Sequence, residues 1–292
     1  MELNDILDLF YKDMSQIQLY KNAMKELTKK EIEKLSNEKE LLKKQNFPLE
    51  VPTSFQNMAF TNPISGKAVF YGKSEKTIDK KITSVFLHRN KQYCWLFAEA
   101  YELFENFIQN IYAFLGQKDI NNWLLSDFGN ETYDNLAEKP FNWYVEKANK
   151  KNNIPKSIIN RLKKLYPDLD GKLKNNALSV NLDLIIVLIQ DLRHNIVHNS
   201  GKVFNKDSFI DGILKNSGIY NNGNPNKENI DYINQFFGKD QYENTILFLE
   251  KSYDKISQPP YTNVFDTTIN NLMGSVYIIY NEVIGSQSDK KI

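Results

Sequence analysis

The segment Leu192-Arg193-His194-Asn195-Ile196-Val197-His198-Asn199-Ser200-Gly201 holds two of the three histidines of the chain, beside an arginine. The apolar run from Leu182 to Leu192 leads into this segment. Because the run is apolar on most sides, it predicts a buried central helix from residue 180 to about residue 199, with Ser179 as its N-cap. We expect the other helices to hold the C-terminal end of this helix in place.

Composition limits the class of protein. With 292 residues, 41% of them hydrophobic, the chain can bury a sizeable core, and a net charge of +1 excludes a global basic field. A net charge this close to zero counts against a protein that binds duplex nucleic acid with high affinity, but it allows a local basic patch. The single cysteine, Cys94, excludes an internal disulfide framework and fits a reducing cytosol. Since the start shows no signal-peptide pattern and no apolar stretch approaches the ~20 residues of a membrane span, we expect a cytoplasmic protein with no membrane partner.

The pattern of apolar residues predicts an all-α fold in two parts. Residues 1–75 are expected to form an N-terminal helix, from residue 2 to about 45, followed by a linker in which the runs 56–60 and 68–71 predict a small β-hairpin. Residues 76–292 are expected to form a helical domain. The narrow apolar seam of the first helix leaves two interpretations open: its first half packs on the domain, or it is an arm that contacts a partner subunit.

Glycine and proline residues suggest where the helices of this domain end. A broad apolar stripe predicts a helix over 77–115 that stops at Gly116, and residues 167–171 are expected to form a turn. Residues 205–225 are expected to form a surface loop that contains at most one helical turn. A final helix is expected over 264–284, with a polar tail from Gly285 onward.

Two features of the 77–115 helix bear on a site. Glu99, Glu102 and Glu105 recur on one side of it, so they form either a solvated face or a set from which one glutamate reaches an arginine on another helix. Cys94 lies in mid-helix, where burial is the simpler interpretation and a redox role the alternative.

The residue types in the cluster suit cleavage of RNA through its own 2′-hydroxyl. Histidine titrates near neutral pH, so one imidazole can accept the 2′-hydroxyl proton and another can protonate the leaving 5′-oxygen. The fork of Arg193 matches phosphate oxygens. This chemistry needs no metal and no cofactor, and general acid–base catalysis of this kind contributes roughly 10²–10⁴-fold.

Helix geometry limits this arrangement. At ~100° per residue, Arg193 and His198 lie ~140° apart around one helix. They converge only if His198 sits in a frayed last turn, where Asn199-Ser200-Gly201 leads the chain out. Otherwise a site shared by two copies across a two-fold axis is attractive.

Two other interpretations of the cluster stay open. Arginine and histidine in a last helical turn interact favourably with the helix dipole, by about 0.3–1 kcal/mol, without any catalysis. His194 and His198 also have the i, i+4 spacing of a zinc site, but position 195 is Asn, and most further ligands would have to be carboxylates.

The run Arg193-His194-Asn195-Ile196-Val197-His198 resembles the R-x4-H motif of the HEPN superfamily. Asp191-Leu192 before it and Asn199-Ser200-Gly201 after it are also similar to bacterial members. The resemblance extends upstream to the helix over 77–115 and the basic segment 158–165, and covers about 77–285. It implies an all-α HEPN-like bundle, usually dimeric, in which two motifs face each other across one ribonuclease site.

The resemblance also implies function. Catalytic members are metal-independent endoribonucleases of toxin–antitoxin, phage-defence and abortive-infection systems, and others are inactive RNA-binding or scaffold modules. Arg193 would be the phosphate clamp, His198 the general base or acid, and His194 the polar residue that assists proton transfer. We name Asn199 and Glu102 as supporting or substrate-binding residues. The implied partners are RNA, such as tRNA or mRNA, a second copy of the chain, and an antitoxin or defence-system protein.

Overall fold

The computed structural model describes residues 1–131, 133–136, 138–219, 226–249 and 263–288. It is mainly helical with one two-stranded antiparallel sheet, which confirms the expected helical class and the hairpin. The helices are α1 (Leu3–Lys44), α2 (Ile78–Lys118), α3 (Tyr133–Leu136), α4 (Phe141–Ala148), α5 (Lys156–Leu165), α6 (Pro167–Lys174), α7 (Leu182–Asn199), α8 (Lys206–Asn216), α9 (Lys227–Asn234) and α10 (Val264–Ser288). The strands are β1 (Ser54–Thr61) and β2 (Ala68–Lys76). Within the described ranges, none of the helices combines the length and apolar composition required to cross a membrane.

The chain forms two compact units. One contains residues 1–18 and 93–292, and the other contains residues 19–92. Helices α1 and α2 therefore each contribute to both units, whereas the sequence places a boundary between residues 75 and 76.

The smaller unit combines an apolar cluster with the hairpin. Leu35 of α1 is buried against Ile78 and Val85 of α2. Strands β1 and β2 pair from Ser54↔Lys76 to Thr61↔Ala68, with an irregularity after Gln56. Both strands are longer than predicted, because the pairing between them continues away from the turn as far as Ser54 and Lys76.

The larger unit contains packed aromatic rings and a buried helix α7. Phe97 and Phe265 both pack against Phe248, at ring-centroid distances of 4.5 and 6.0 Å. Helix α7 packs against α6, α8 and α10. Its buried side chains occupy nearly every turn, which confirms the prediction of a buried central helix: Leu182, Leu184, Ile185, Ile186, Leu188, Ile189, Leu192 and Ile196.

The first half of α1 belongs to this core. Phe10, Met14 and Ile17 are buried, and the Phe10 ring lies 5.4 Å from that of Phe107. This confirms the interpretation in which the first half packs on the domain. Contact between the second half and a partner subunit stays a prediction.

Gly116 does not end α2, so that prediction was wrong. The helix continues to Lys118, and a Cβ at Gly116 would lie 2.3 Å from Nε1 of Trp123. That indole nitrogen donates a hydrogen bond to the Tyr112 carbonyl at 2.7 Å. The glycine therefore makes room for a tryptophan that anchors the following segment.

Three other local predictions were also wrong. Residues 167–171 begin α6 rather than form a turn, because Pro167 occupies the first helical position, where no N–H is needed. Residues 206–216 form α8, capped by the Asn205 side chain, while residues 220–225 of the predicted loop lie outside the described residues. Helix α10 runs past Gly285 to Ser288.

The N-cap of α7 is Asn181, whose side chain accepts a hydrogen bond from Leu184 N at 3.1 Å. The predicted cap, Ser179, instead has a φ of 54° and lies in the preceding turn. The helix therefore begins two residues later than expected.

Candidate functional site

Helix α7 ends where the sequence predicts. Ser200 adopts a left-handed conformation with φ 54° and ψ 34°, and Gly201 N donates to the Asn195 carbonyl at 3.0 Å. This closure satisfies a carbonyl of the last turn and leads the chain away. Residues up to Asn199 remain helical, so His198 lies within the last turn of a regular helix.

His194 and His198 form an exposed pair on one face of α7. Their ring centroids are 4.7 Å apart and the rings are tilted by 47°. Neither imidazole forms a hydrogen bond with the residues that the structure describes. Both rings are therefore available to exchange protons with a bound molecule.

Arg193 points in another direction, toward α2. Its guanidinium forms an ion pair with Glu102 and lies 5.8 Å from the ring centroid of Tyr101. This confirms the interpretation in which one glutamate of the set reaches an arginine on another helix. Glu99, by contrast, is exposed.

The surroundings of Arg193 are acidic and partly buried. Burial, reinforced by the nearby charge of Glu102, raises the pKa of Glu105, and Arg193 opposes that rise. Burial, reinforced by Glu105, also raises the pKa of Tyr101. Arg193 therefore supplies the positive charge that offsets two carboxylates at this position.

One donor of Arg193 is unused. The Nε atom is buried and has no hydrogen-bond partner among the described residues. A buried donor left unsatisfied costs about 1–3 kcal/mol.

Asn199 belongs to a ladder of side chains along α7. Its amide donates to Asn195 Oδ1 at 2.9 Å, and the Asn195 amide donates to the Asp191 carbonyl at 2.9 Å. The side chain of Asp191 is largely buried, which raises its pKa, while His194 and Lys156 act in the opposite direction. Asn199 is therefore held in place by its own helix, close to the histidines.

The predicted residues are not all brought together in one copy. The structure pairs Arg193 with Glu102, and His194 with His198. Of the two arrangements left open, convergence of Arg193 and His198 through a frayed last turn is not observed, because an unbroken helix keeps residues five positions apart ~140° apart.

Some neighbours of the site were missed from the sequence. Tyr101 carries no sequence signal beyond its position before Glu102, and Asn195 is only a spacer within the motif. Glu105 is one of three acids on its helix, and its half-buried position depends on packing that sequence spacing does not show. Cys94 is buried, which raises the pKa of its thiol to about 12, as the simpler interpretation predicted.

The two open interpretations can be compared with this geometry. His198 does lie in the last turn of α7, as electrostatic capping requires. Among the residues with described positions, no group of three or more His, Cys, Asp or Glu side chains is placed to hold a metal ion, so His194 and His198 have no third ligand there.

No protein-family model matches the chain, and no curated protein and no solved structure shows significant similarity to it.

Proposed function

We propose that this chain is a HEPN-type, metal-independent endoribonuclease that acts as a toxin or antiviral effector in phage defence or abortive infection. One observation carries the proposal: an exposed pair of histidines without hydrogen-bond partners among the described residues follows an arginine that α2 holds through Glu102. A free imidazole pair suits proton transfer at a phosphodiester, and a fixed cation brought to the same phosphate stabilises the charge that develops on it.

Each residue has a role in the proposed reaction. One imidazole, assigned to His198, takes the proton of the 2′-hydroxyl, whose oxygen attacks the adjacent phosphorus. The second, assigned to His194, gives a proton to the leaving 5′-oxygen. Arg193 binds the phosphoryl oxygens as negative charge develops on them. The products are a 2′,3′-cyclic phosphate and a 5′-hydroxyl end.

A homodimer with a composite site forms part of the proposal. Because Arg193 and His198 diverge on one helix, a second copy facing this one can supply the missing group. The face of α7 that carries His194 and His198 is exposed, and Val197 beside them is 37% exposed. Such a face can accept a second α7.

Cleavage in the presence of EDTA tests the activity. The full chain and an Arg193→Ala/His198→Ala variant are incubated with total cellular RNA, and product ends are analysed. We expect RNA products with 2′,3′-cyclic phosphate ends from the native chain and none from the variant. Equal cleavage by both proteins would refute the assignment.

Mixing variants tests the composite site. If Arg193 of one copy and His198 of the other act on one phosphate, co-refolded Arg193→Ala and His198→Ala chains form some complete sites, while each variant alone forms none. We expect the mixture to regain roughly a quarter of the native rate, because half of randomly paired dimers combine the two variants and one of the two symmetry-related Arg193/His198 pairs in each of them is complete. No recovery from a mixture shown to exchange subunits would refute a shared site.

A non-catalytic HEPN-type module that binds RNA or a protein is the second candidate. The ion pair between Arg193 and Glu102 favours it, because an arginine already paired can serve stability alone. For such a module, substitutions at Arg193 and His198 alter stability or binding and leave no RNA cleavage to lose.

A further inference from the structure

A cavity of about 180 Å³ lies beside the first half of α7. Helix α5, helix α7, the end of α8 and Lys174 of α6 line it, and Lys174 forms an ion pair with Asp170 at 2.6 Å. The cavity takes no part in the chemistry assigned to Arg193 and the histidines. Its lining nevertheless has the features of a small-molecule site: an apolar floor and a few polar groups that point to one space.

Three aliphatic side chains form the floor. Ile159 and Ile186 are buried, and Val187 is half-buried beside them. A flat ring system placed on such a floor would be removed from water on one face.

Two amide side chains at the cavity are unused. Gln190 and Asn160 both line it, and neither makes a hydrogen bond within the part of the chain that the structure describes. Other asparagines of this unit are engaged: Asn181 and Asn205, for example, cap α7 and α8. The two free amides therefore offer donors and acceptors to a ligand.

The lysines at the cavity differ in whether a carboxylate already neutralises them. Lys163 bridges Asp183 at 2.6 Å and Asp170 at 2.8 Å, so its charge is already neutralised. Lys156 forms no ion pair with a described residue and donates only to the Asn216 carbonyl, at 3.3 Å. Lys156 is therefore the lysine available to an anion.

The cavity opens on the same face of α7 as the histidines. Gln190 precedes His194 by four residues, which places it one turn away, about 6 Å along the helix axis. The electrostatic influence of Lys156 also reaches Asp191, next to this turn.

We propose that this cavity binds an unstacked adenine base of single-stranded RNA, next to the phosphate that the histidines address. Gln190 and Asn160 hydrogen-bond the edge of the base, and Lys156 binds a neighbouring phosphate. An amide side chain matches the adjacent donor and acceptor of adenine in a bidentate pair. The identity of the strand rests on the proposed ribonuclease function, but binding in the cavity needs no catalysis.

Binding of nucleotides to the full-length chain tests the cavity directly. Adenosine 3′-monophosphate, the other three 3′-nucleotides and ribose 5-phosphate are titrated by calorimetry. We expect adenosine 3′-monophosphate to bind about tenfold more tightly than ribose 5-phosphate and the other nucleotides. Equal affinity for all five ligands, or no measurable binding of any, would overturn the proposal.

Variants locate the contact. Gln190→Ala/Asn160→Ala is expected to abolish the adenine preference, and Lys156→Gln to weaken every phosphorylated ligand while keeping that preference. Asn152→Ala, at an exposed asparagine outside the cavity lining, is the matched control and should bind as the native chain does. Native-like binding by the double variant would place the site elsewhere and overturn the proposal.

Cleavage maps separate this inference from the proposed function. If the native chain cleaves RNA next to adenines and the double variant loses that preference, both stand. If both proteins cleave at the same sites, the adenine pocket is wrong and the ribonuclease remains. If nothing is cleaved but adenosine 3′-monophosphate binding depends on Gln190, the pocket stands without the enzyme.

Discussion

Replacement of Gly116 by alanine tests how the end of α2 is packed. A Cβ at this position would lie 2.3 Å from Nε1, 2.4 Å from Cε2 and 2.8 Å from Cδ1 of Trp123. The indole cannot give way easily, because it stacks on Tyr112 at a centroid distance of 4.9 Å and donates to the Tyr112 carbonyl. The substitution must therefore displace the tryptophan or bend the helix.

Opposing contributions set the size of the effect. Alanine favours the helix over glycine by about 1 kcal/mol. Overpacking costs about 1–3 kcal/mol, and a lost indole hydrogen bond and a disturbed aromatic stack cost about 1 kcal/mol each. We expect a net loss of about 2–4 kcal/mol in the free energy of unfolding, or roughly 4–16 °C in Tm for a unit of this size.

A second helical glycine provides the matched control. Gly171 lies within α6, and a Cβ there would meet nothing within 4 Å. Gly171→Ala should therefore raise stability by about 1 kcal/mol through helix propensity alone. Thermal and urea unfolding of both variants would be followed by circular dichroism. A Gly116→Ala protein as stable as Gly171→Ala would refute the steric argument.

Three further predictions concern the surroundings of the site. Because the folded pKa of Glu105 is raised above its ordinary value of 4.5, the stability it contributes is present below that value and is lost as pH rises through the folded pKa. Glu105→Gln should thus raise Tm at pH 7 and leave it nearly unchanged at pH 4, and a larger gain at pH 4 would contradict this sign. A double-mutant cycle of Glu102→Gln and Arg193→Gln should give a coupling free energy of at most about 1 kcal/mol, because the side chain of Glu102 is 48% exposed. This coupling should shrink in high salt. A coupling that does not change with salt would mean that the pair is buried. Asn181→Ala should cost about 1 kcal/mol in urea unfolding and Ser179→Ala very little, since only the former caps α7; equal costs would restore Ser179 as the cap.

The elements with strong local patterns were predictable. The 3–4 spacing of apolar residues marked α1, α2 and α7, and turn residues between β-prone runs marked the hairpin. The failures share a physical cause. Gly116 and Pro167 are ordinary stop signals by themselves, and only distant partners decide their role: a tryptophan that needs space, and a core that buries Leu169 and Leu173.

The site was predictable in its residue types but not in its geometry. Two histidines and an arginine within six residues suggest a candidate place for acid–base chemistry, and a row of glutamates offers a partner to the arginine. Which glutamate pairs, and that the helix stays regular through Asn199, depend on how α2 and α7 pack. Sequence spacing carries no information on that packing.

In the proposed reaction the motif supplies phosphate binding by Arg193 and proton transfer by the histidines, and the structure places these groups in different surroundings. Glu102 holds Arg193 in a partly buried position, so a phosphate that binds there exchanges one anion for another and never leaves the arginine unpaired. The histidines have no such orienting partner among the described residues, although a general base needs one to fix its tautomer and direction. In the proposed ribonuclease, that orientation would come from the bound RNA or from a second copy of α7. Recovery of activity in mixed Arg193→Ala and His198→Ala dimers would favour the second copy, because it requires Arg193 of one chain to act beside His198 of the other, which brings the two α7 helices together.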